Sequence, residues 1–192
     1  IVVGLMGKSI AQNILKAGFP LVVHNRSQKS VDDLVARGAS AAGSPAEVAA
    51  RVDIVFSNLP DSSDVEKVAL GPNGIIEGAH NDLIFIDNST IKPATARFIS
   101  EKLSLVGVQC LDAPVSGGDI GARDATLTLM VGGPLEAFDQ VMPIFRSMGK
   151  SITYIGPSGS GQVAKAANQI MVAAQMVAMG ELLVFAQKVG AD

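Results

Sequence analysis

The feature that most constrains this chain is a rhythm. Short apolar, β-branched runs at residues 1–3, 21–24, 54–57, 83–87, 108–111, 126–131 and 152–155 read as strands. Between them, amphipathic patterns at 7–17, 28–37, 45–51, 63–69, 94–106 and 135–148 read as helices. Turn signals such as Gly18-Phe19-Pro20, Gly71-Pro72-Asn73-Gly74 and Gly117-Gly118 fall between the periodic segments. Strand and helix alternating in this way predict an α/β fold, a mainly parallel sheet with helices on both faces. With 192 residues, 48% of them apolar, the chain can bury a proper core without disulfides or metals.

The rhythm stops after Gly156. Pro157-Ser158-Gly159-Ser160-Gly161 reads as a flexible joint, and 162–189 is then one long Ala- and Met-rich helical pattern. A helix apolar around most of its circumference needs partners on several sides. The expected division is an α/β domain over 1–158 and, over 159–192, a linking helix that begins a truncated, all-helical second domain. The absence of an initiating methionine leads to the further expectation that the true start is missing. Gln175, Gly180 and Glu181 interrupt the apolar stretch 170–186, which argues for a buried helix of a soluble protein and against a membrane span. Met171, Met176 and Met179 are expected to fill a core.

Charge and chemistry-bearing residues narrow the function. A net charge of −3 gives no basic surplus for nucleic acid or an anionic membrane surface. Cys110 is the single cysteine and His24 and His80 are the only histidines, so thiolate clusters, a His-based metal site and a Ser-His-Asp machine are all disfavoured. No metal is expected. Asp61-Ser62-Ser63-Asp64 reads as a helix N-cap rather than a metal site. The lone cysteine fits a reducing compartment, the cytoplasm, or the mitochondrial matrix if a transit peptide has been removed.

The opening Val2-Val3-Gly4-Leu5-Met6-Gly7 precedes a helical run, which is where a dinucleotide fingerprint would stand. Gly4 and Gly7 fit its second and third glycines, with Leu5 and Met6 between them, and Val2 stands at the position of the first. The amides at the start of that helix would face a diphosphate. At the end of the second strand stand Asn25-Arg26-Ser27, with no acid to accept from a ribose 2′-hydroxyl and an arginine able to pair with a 2′-phosphate. NADP is therefore preferred over NAD in a Rossmann-type domain.

Three further motifs follow in order: Asp112-Ala113-Pro114-Val115-Ser116-Gly117-Gly118, then Leu127-Thr128-Leu129-Met130-Val131-Gly132-Gly133, then Gly159-Ser160-Gly161-Gln162-Val163-Ala164-Lys165-Ala166-Ala167-Asn168-Gln169. With the glycine loop, this order resembles the β-hydroxyacid dehydrogenases, the 6-phosphogluconate dehydrogenase-like group containing 3-hydroxyisobutyrate dehydrogenase and tartronate semialdehyde reductase. The resemblance implies a cofactor domain, an interdomain helix and an active site in the cleft before a helical domain. It implies Lys165 as the catalytic residue, Asn168 as its polar partner, and Ser116, Gly117 and Gly118 as the grip on a substrate carboxylate. It implies Leu59, Pro60 and Thr90 as cofactor contacts. Val2 and Ala125 depart from the family pattern, since relatives carry glycine at both; the second change is expected to be tolerated.

These residue types suit carbonyl reduction. Negative charge grows on the substrate oxygen as a hydride reaches carbon, and a lysine ammonium can polarise that oxygen and then protonate it. Burial lowers its pKa toward working pH. Lys165 and Asn168 lie three apart and share a helix side. Consecutive amides in a glycine turn form an anion-binding nest. The expected function is hydride transfer between NADP(H) or NAD(H) and a short 3-hydroxy acid paired with its oxo acid or semialdehyde, in a homo-oligomer. Two alternatives stand beside it: a non-catalytic nucleotide-binding or interaction module on the same fold, and an imine reductase relative.

Overall fold

The computed structural model describes residues 4–191; the strand expected at 1–3, with Val2, lies outside them. In chain order the elements are α1 (Leu5–Lys16), β1 (Val22–Val23), α2 (Gln28–Val35), β2 (Ser40–Ala41), α3 (Pro45–Ala49), β3 (Ile54–Ser57), α4 (Ser62–Leu70), α5 (Ile75–Gly78) and β4 (Ile84–Asp87). There follow α6 (Pro93–Ser104), β5 (Gln109–Asp112), β6 (Val115–Ser116), α7 (Gly118–Arg123), β7 (Leu127–Gly132), α8 (Leu135–Met148), β8 (Gly149–Gly156) and α9 (Ser160–Lys188).

Local chemistry sets the helix starts. Ser44 caps α3 by accepting Glu47 N–H at 3.1 Å, with Pro45 at the first helical position, where its missing N–H costs nothing. Asp61 caps α4, as the sequence predicts, and Pro93 opens α6. The elements that periodicity does not reveal, β2, α5, β6 and α7, are each too short to complete a recognisable period.

Strands β3, β4 and β5 pair in parallel, from Ile54 opposite Ile84 and Ile84 opposite Gln109 onward. β5 and β6 then lie end to end along one side of β7, antiparallel to it, with Asp112 opposite Gly132 and Val115 opposite Leu129 in one unbroken register across Ala113-Pro114. β8 runs parallel along the other side of β7. Among the described residues β1 and β2 pair with each other in parallel.

Alternation along β4 divides the core. Ile84 and Ile86 face a layer built on Ile10 and Ile14 of α1 and on Phe138, Val141 and Phe145 of α8. Phe85 faces the opposite layer, with Val65 of α4 and with Ile99 and Leu103 of α6. Both faces of the sheet are therefore covered, which is why the strands read as continuous apolar runs.

The joint expected at 157–161 is corrected: it is a pinned turn. Gly159 takes φ +87° and donates its N–H to the buried Asp112 carboxylate at 2.6 Å. Beyond it α9 projects with Ile170, Met176, Leu183 and Phe185 exposed, 61–72% each, so the methionines expected as core filling are uncovered. Among the described residues α9 is the helix long and apolar enough to cross a membrane, with a mean hydropathy of 1.6 in its most apolar window.

Candidate functional site

The carboxyl ends of β3, β4 and β5 meet in a buried polar cluster. Asp87 Oδ1 accepts three bonds, from Ser57 Oγ at 2.6 Å, Ser89 Oγ at 2.6 Å and Ser89 N–H at 3.2 Å. Its other oxygen, Oδ2, has no partner among the described residues. Burial pushes the Asp87 carboxyl up to about 6; the serine donors oppose the rise and the neighbouring Asp112 adds to it. Ser89 Oγ also accepts Leu59 N–H at 2.8 Å, and Asn88 donates its side-chain amide to Ala113 O at 2.7 Å. The loops after the first two strands are thus locked to each other and to the third. In open α/β sheets this edge is where ligands bind.

Helix α9 starts on the same edge. Asp112 accepts Gly159 N–H at 2.6 Å and Gln162 N–H at 2.9 Å, a carboxylate set against the positive end of a long helix. Burial raises the Asp112 carboxyl above the ordinary range, and those two amides oppose the rise. The approach is close because two glycines permit it. A Cβ on Gly161 would lie 2.3 Å from Met130 O and 2.5 Å from Asp112 O, and one on Gly132 would lie 2.8 Å from Gly161 N. One turn on, Lys165 is 7% exposed and joins no ion pair or hydrogen bond among the described residues. Burial lowers its pKa. Asn168, one turn further, is half-buried and makes a long 3.4 Å contact to Gln169.

The glycine loop enters from the other side. Gly4 is the N-cap residue of α1 with φ −65°, no side chain caps that helix, and its first turn holds no acid. Among the described residues a Cβ on Gly4 would meet nothing within 4 Å, so they give no steric reason for a glycine there. Leu5 and Met6 begin the helix, and Met6 packs against the core. A cavity of about 80 Å³ joins Gly7 to Ser57, Asn58 and Asn88, which lead into Leu59 and Thr90. Pro60 and Thr90 are exposed. Asn25 donates to Ser27 O at 3.1 Å, Ser27 is the N-cap residue of α2, and Arg26 is exposed with no ion pair among the described residues.

Ser116 ends β6 opposite Thr128, and Gly117 (φ +131°) and Gly118 (φ +63°) turn the chain into α7. Both angles favour glycine. That turn and the start of α9 flank positions 128 and 130 of β7, about 7 Å apart along the strand. Helix α7 is tied to α1 by Asn13, whose amide donates to Ala122 O at 2.7 Å. Ala125, beyond α7, holds φ +54°, a conformation that costs any residue but glycine.

The structure therefore gathers Gly7, Leu59, Thr90, Lys165 and the Ser116–Gly118 turn at one edge of the sheet. Arg26 lies in the loop between β1 and α2, next to the N-cap residue Ser27. Asp112 and Gln162, whose hydrogen bonds seat α9 on this edge, are absent from the sequence-derived site. Their signal is faint but present: a charge closing an apolar strand, and a glutamine inside an Ala-rich helix.

Comparison with known proteins agrees with this architecture. Residues 1–156 match the NAD binding domain of 6-phosphogluconate dehydrogenase, and 159–192 match the NAD-binding segment of NADP-dependent 3-hydroxyisobutyrate dehydrogenase. The chain is 43% identical over 189 residues to the uncharacterized oxidoreductase YkwC of Bacillus subtilis, covering 98% of this chain and 66% of that protein. It is 40% identical to the 2-hydroxy-3-oxopropionate reductase of Escherichia coli, covering 98% and 64%. The solved Mycobacterium tuberculosis 3-hydroxyisobutyrate dehydrogenase with L-serine superposes with a TM-score of 0.92 at 32% identity, covering 98% of this chain and 64% of that one. This chain spans just under two thirds of the length of these relatives. By its fold, its motif order and these matches, the chain belongs to the β-hydroxyacid dehydrogenase family.

Proposed function

We propose that this chain is the cofactor-binding part of an NAD(P)-dependent dehydrogenase that interconverts a short 3-hydroxy acid and its oxo acid or semialdehyde, with Lys165 as acid/base. The observation that carries this reading is Lys165 itself. It is a buried lysine without a counter-ion among the described residues, one turn from a helix start seated on the ligand-binding edge of a parallel sheet. A structural lysine would reach solvent or pair with an acid.

The residues present fit a dinucleotide. Gly4 leaves open space above an uncapped helix start, which suits a pyrophosphate. Leu59, Pro60 and Thr90 would line its nicotinamide half and Asn25, Arg26 and Ser27 its adenosine half. Arg26, exposed and without an ion pair among the described residues, favours NADP over NAD. When bound in reduced form, such a cofactor supplies a hydride to the substrate carbon.

The chain's own residues would do the rest. The Ser116–Gly118 turn offers a hydroxyl and successive amides to a substrate carboxylate. The Lys165 ammonium hydrogen-bonds the carbonyl oxygen and donates the proton as negative charge develops there; in the oxidative direction its neutral amine removes the hydroxyl proton. Asn168 holds the amine or the substrate hydroxyl. Burial lowers the pKa of Lys165, which makes its neutral amine easier to reach than that of an exposed lysine.

Residues 159–192 are proposed as the interdomain helix, its bare apolar sides covered in the full-length protein by a helical domain and by a second copy of the chain. A turnover screen of the full-length protein tests the function. NADPH-dependent reduction of at least one short semialdehyde is expected. Cofactor binding with no turnover across the series would leave a non-catalytic nucleotide-binding module.

A further inference from the structure

Gln162 is 1% exposed in the first turn of α9 and spends its side chain on the loop after β4. Its amide donates to Ser89 O at 2.8 Å and accepts Ile91 N–H at 3.1 Å. It therefore grips the backbone on both sides of exposed Thr90, as a neighbouring strand would. A neutral primary amide is suited to this because it offers a donor and an acceptor together without carrying charge into the interior. Its own backbone N–H is held by Asp112, so the side chain is aimed from a fixed point. Among the described residues, these two side-chain bonds are the hydrogen bonds joining the Asn88–Ile91 loop to α9. Lys165 lies three residues further along the same helix, on the same side.

We propose that Gln162 is a positioning residue that couples occupancy of the loop at Thr90 to the placement of Lys165. The proposal rests on the dinucleotide reading of that loop. A cofactor steadying Thr90 steadies Ser89 and Ile91, and the amide carries that order into the helix turn that precedes the lysine. The connection is a short run of buried hydrogen bonds, a physical path rather than mere proximity. Gln162 acts through Lys165 and touches neither cofactor nor substrate.

The test uses the full-length protein with hydrogen exchange read by mass spectrometry, with and without NADPH, in wild type, Gln162→Met and Gln162→Glu. Methionine keeps the length and burial but forms neither bond. Glutamate keeps the acceptor for Ile91 and sets a second acceptor against Ser89 O. In wild type, NADPH is expected to slow exchange both at 88–91 and at 160–168. Both variants should keep the slowing at 88–91 and lose it at 160–168, with kcat down about tenfold, the equivalent of one net hydrogen bond, and the hydroxy-acid KM within about twofold. Slowing at 160–168 that persists in either folded variant overturns the proposal. If neither variant folds, the wild-type pattern decides: joint slowing supports the coupling, and slowing confined to 88–91 overturns it. No slowing at 88–91 in wild type would overturn the dinucleotide reading beneath it, a different and recognisable result.

Discussion

The carboxylate of Asp112 accepts the backbone N–H of Gln162 at 2.9 Å, so the last residue of a core strand caps the helix that carries Lys165. Fifty residues separate the partners in sequence. Through this contact the sheet determines where the proposed acid/base stands.

Asp112→Ala should therefore be costly. It strips acceptors from two buried amides at once, Gly159 and Gln162, and the loss expected is about 2–4 kcal/mol. Urea denaturation at pH 7 measures it. Asp112→Asn, which keeps one acceptor oxygen, should lose less than half as much.

The close seat of α9 gives a second outcome. Gly161→Ala would place a methyl 2.3 Å from Met130 O and 2.5 Å from Asp112 O, both of them backbone oxygens that cannot swing aside. The expected cost is about 2–3 kcal/mol, accompanied by a loss of turnover greater than the loss of fold, since the displaced helix carries Lys165. Comparing Tm with kcat in the same preparation separates the two effects.

Ala125→Gly should do the reverse. Ala125 sits at φ +54°, where an L-side chain costs about 1–2 kcal/mol, and glycine gives back part of that gain through chain entropy. A net stabilisation of about 0.5–1 kcal/mol is expected in a denaturation curve.

Asp87 makes stability fall as pH rises. Its folded pKa of about 6 lies above the ordinary 3.8, so the native state holds a proton that the unfolded chain has released. The contribution is fully present below 3.8 and is lost as pH rises through about 6, a change on the order of 3 kcal/mol. Asp87→Asn keeps an acceptor oxygen for Ser57 and Ser89 and should flatten this window. His80 adds a second window of the same sign. Its two ring nitrogens face Asn81 O at 2.8 Å and Val52 O at 3.1 Å, and only the doubly protonated ring donates to both. Those bonds raise its pKa, so its contribution is present below about 6.5 and lost as pH rises through the raised value. Unfolding free energies of the single and double variants from pH 4 to 8 check both windows.

The fold was largely legible because it rests on local patterns. The apolar runs at 54–57 and 83–87 stand out in the sequence, and Asp61 announces the helix it caps. The β1–β2 pair was half legible: the strand over 21–24 shows, whereas Ser40–Ala41 has no apolar signature. Site membership was read from motif order, which names Lys165 and the glycine turn. It could not reveal that Asp112 caps α9 or that Gln162 clasps Ser89, because those bonds span 50 and 73 residues and exist only once the sheet has formed. The turn at 157–161 reads as a joint for the same reason. Glycines that signal flexibility in a linear sequence here permit close contact, with Gly161 pressed against Met130.

Replacing Lys165 by alanine in the full-length protein is the most direct measurement of the central claim. The account predicts that kcat for reduction of the preferred semialdehyde falls at least about 100-fold, with the NADPH dissociation constant within about twofold of wild type and an unchanged fold. Near-normal turnover with cofactor binding intact would contradict it.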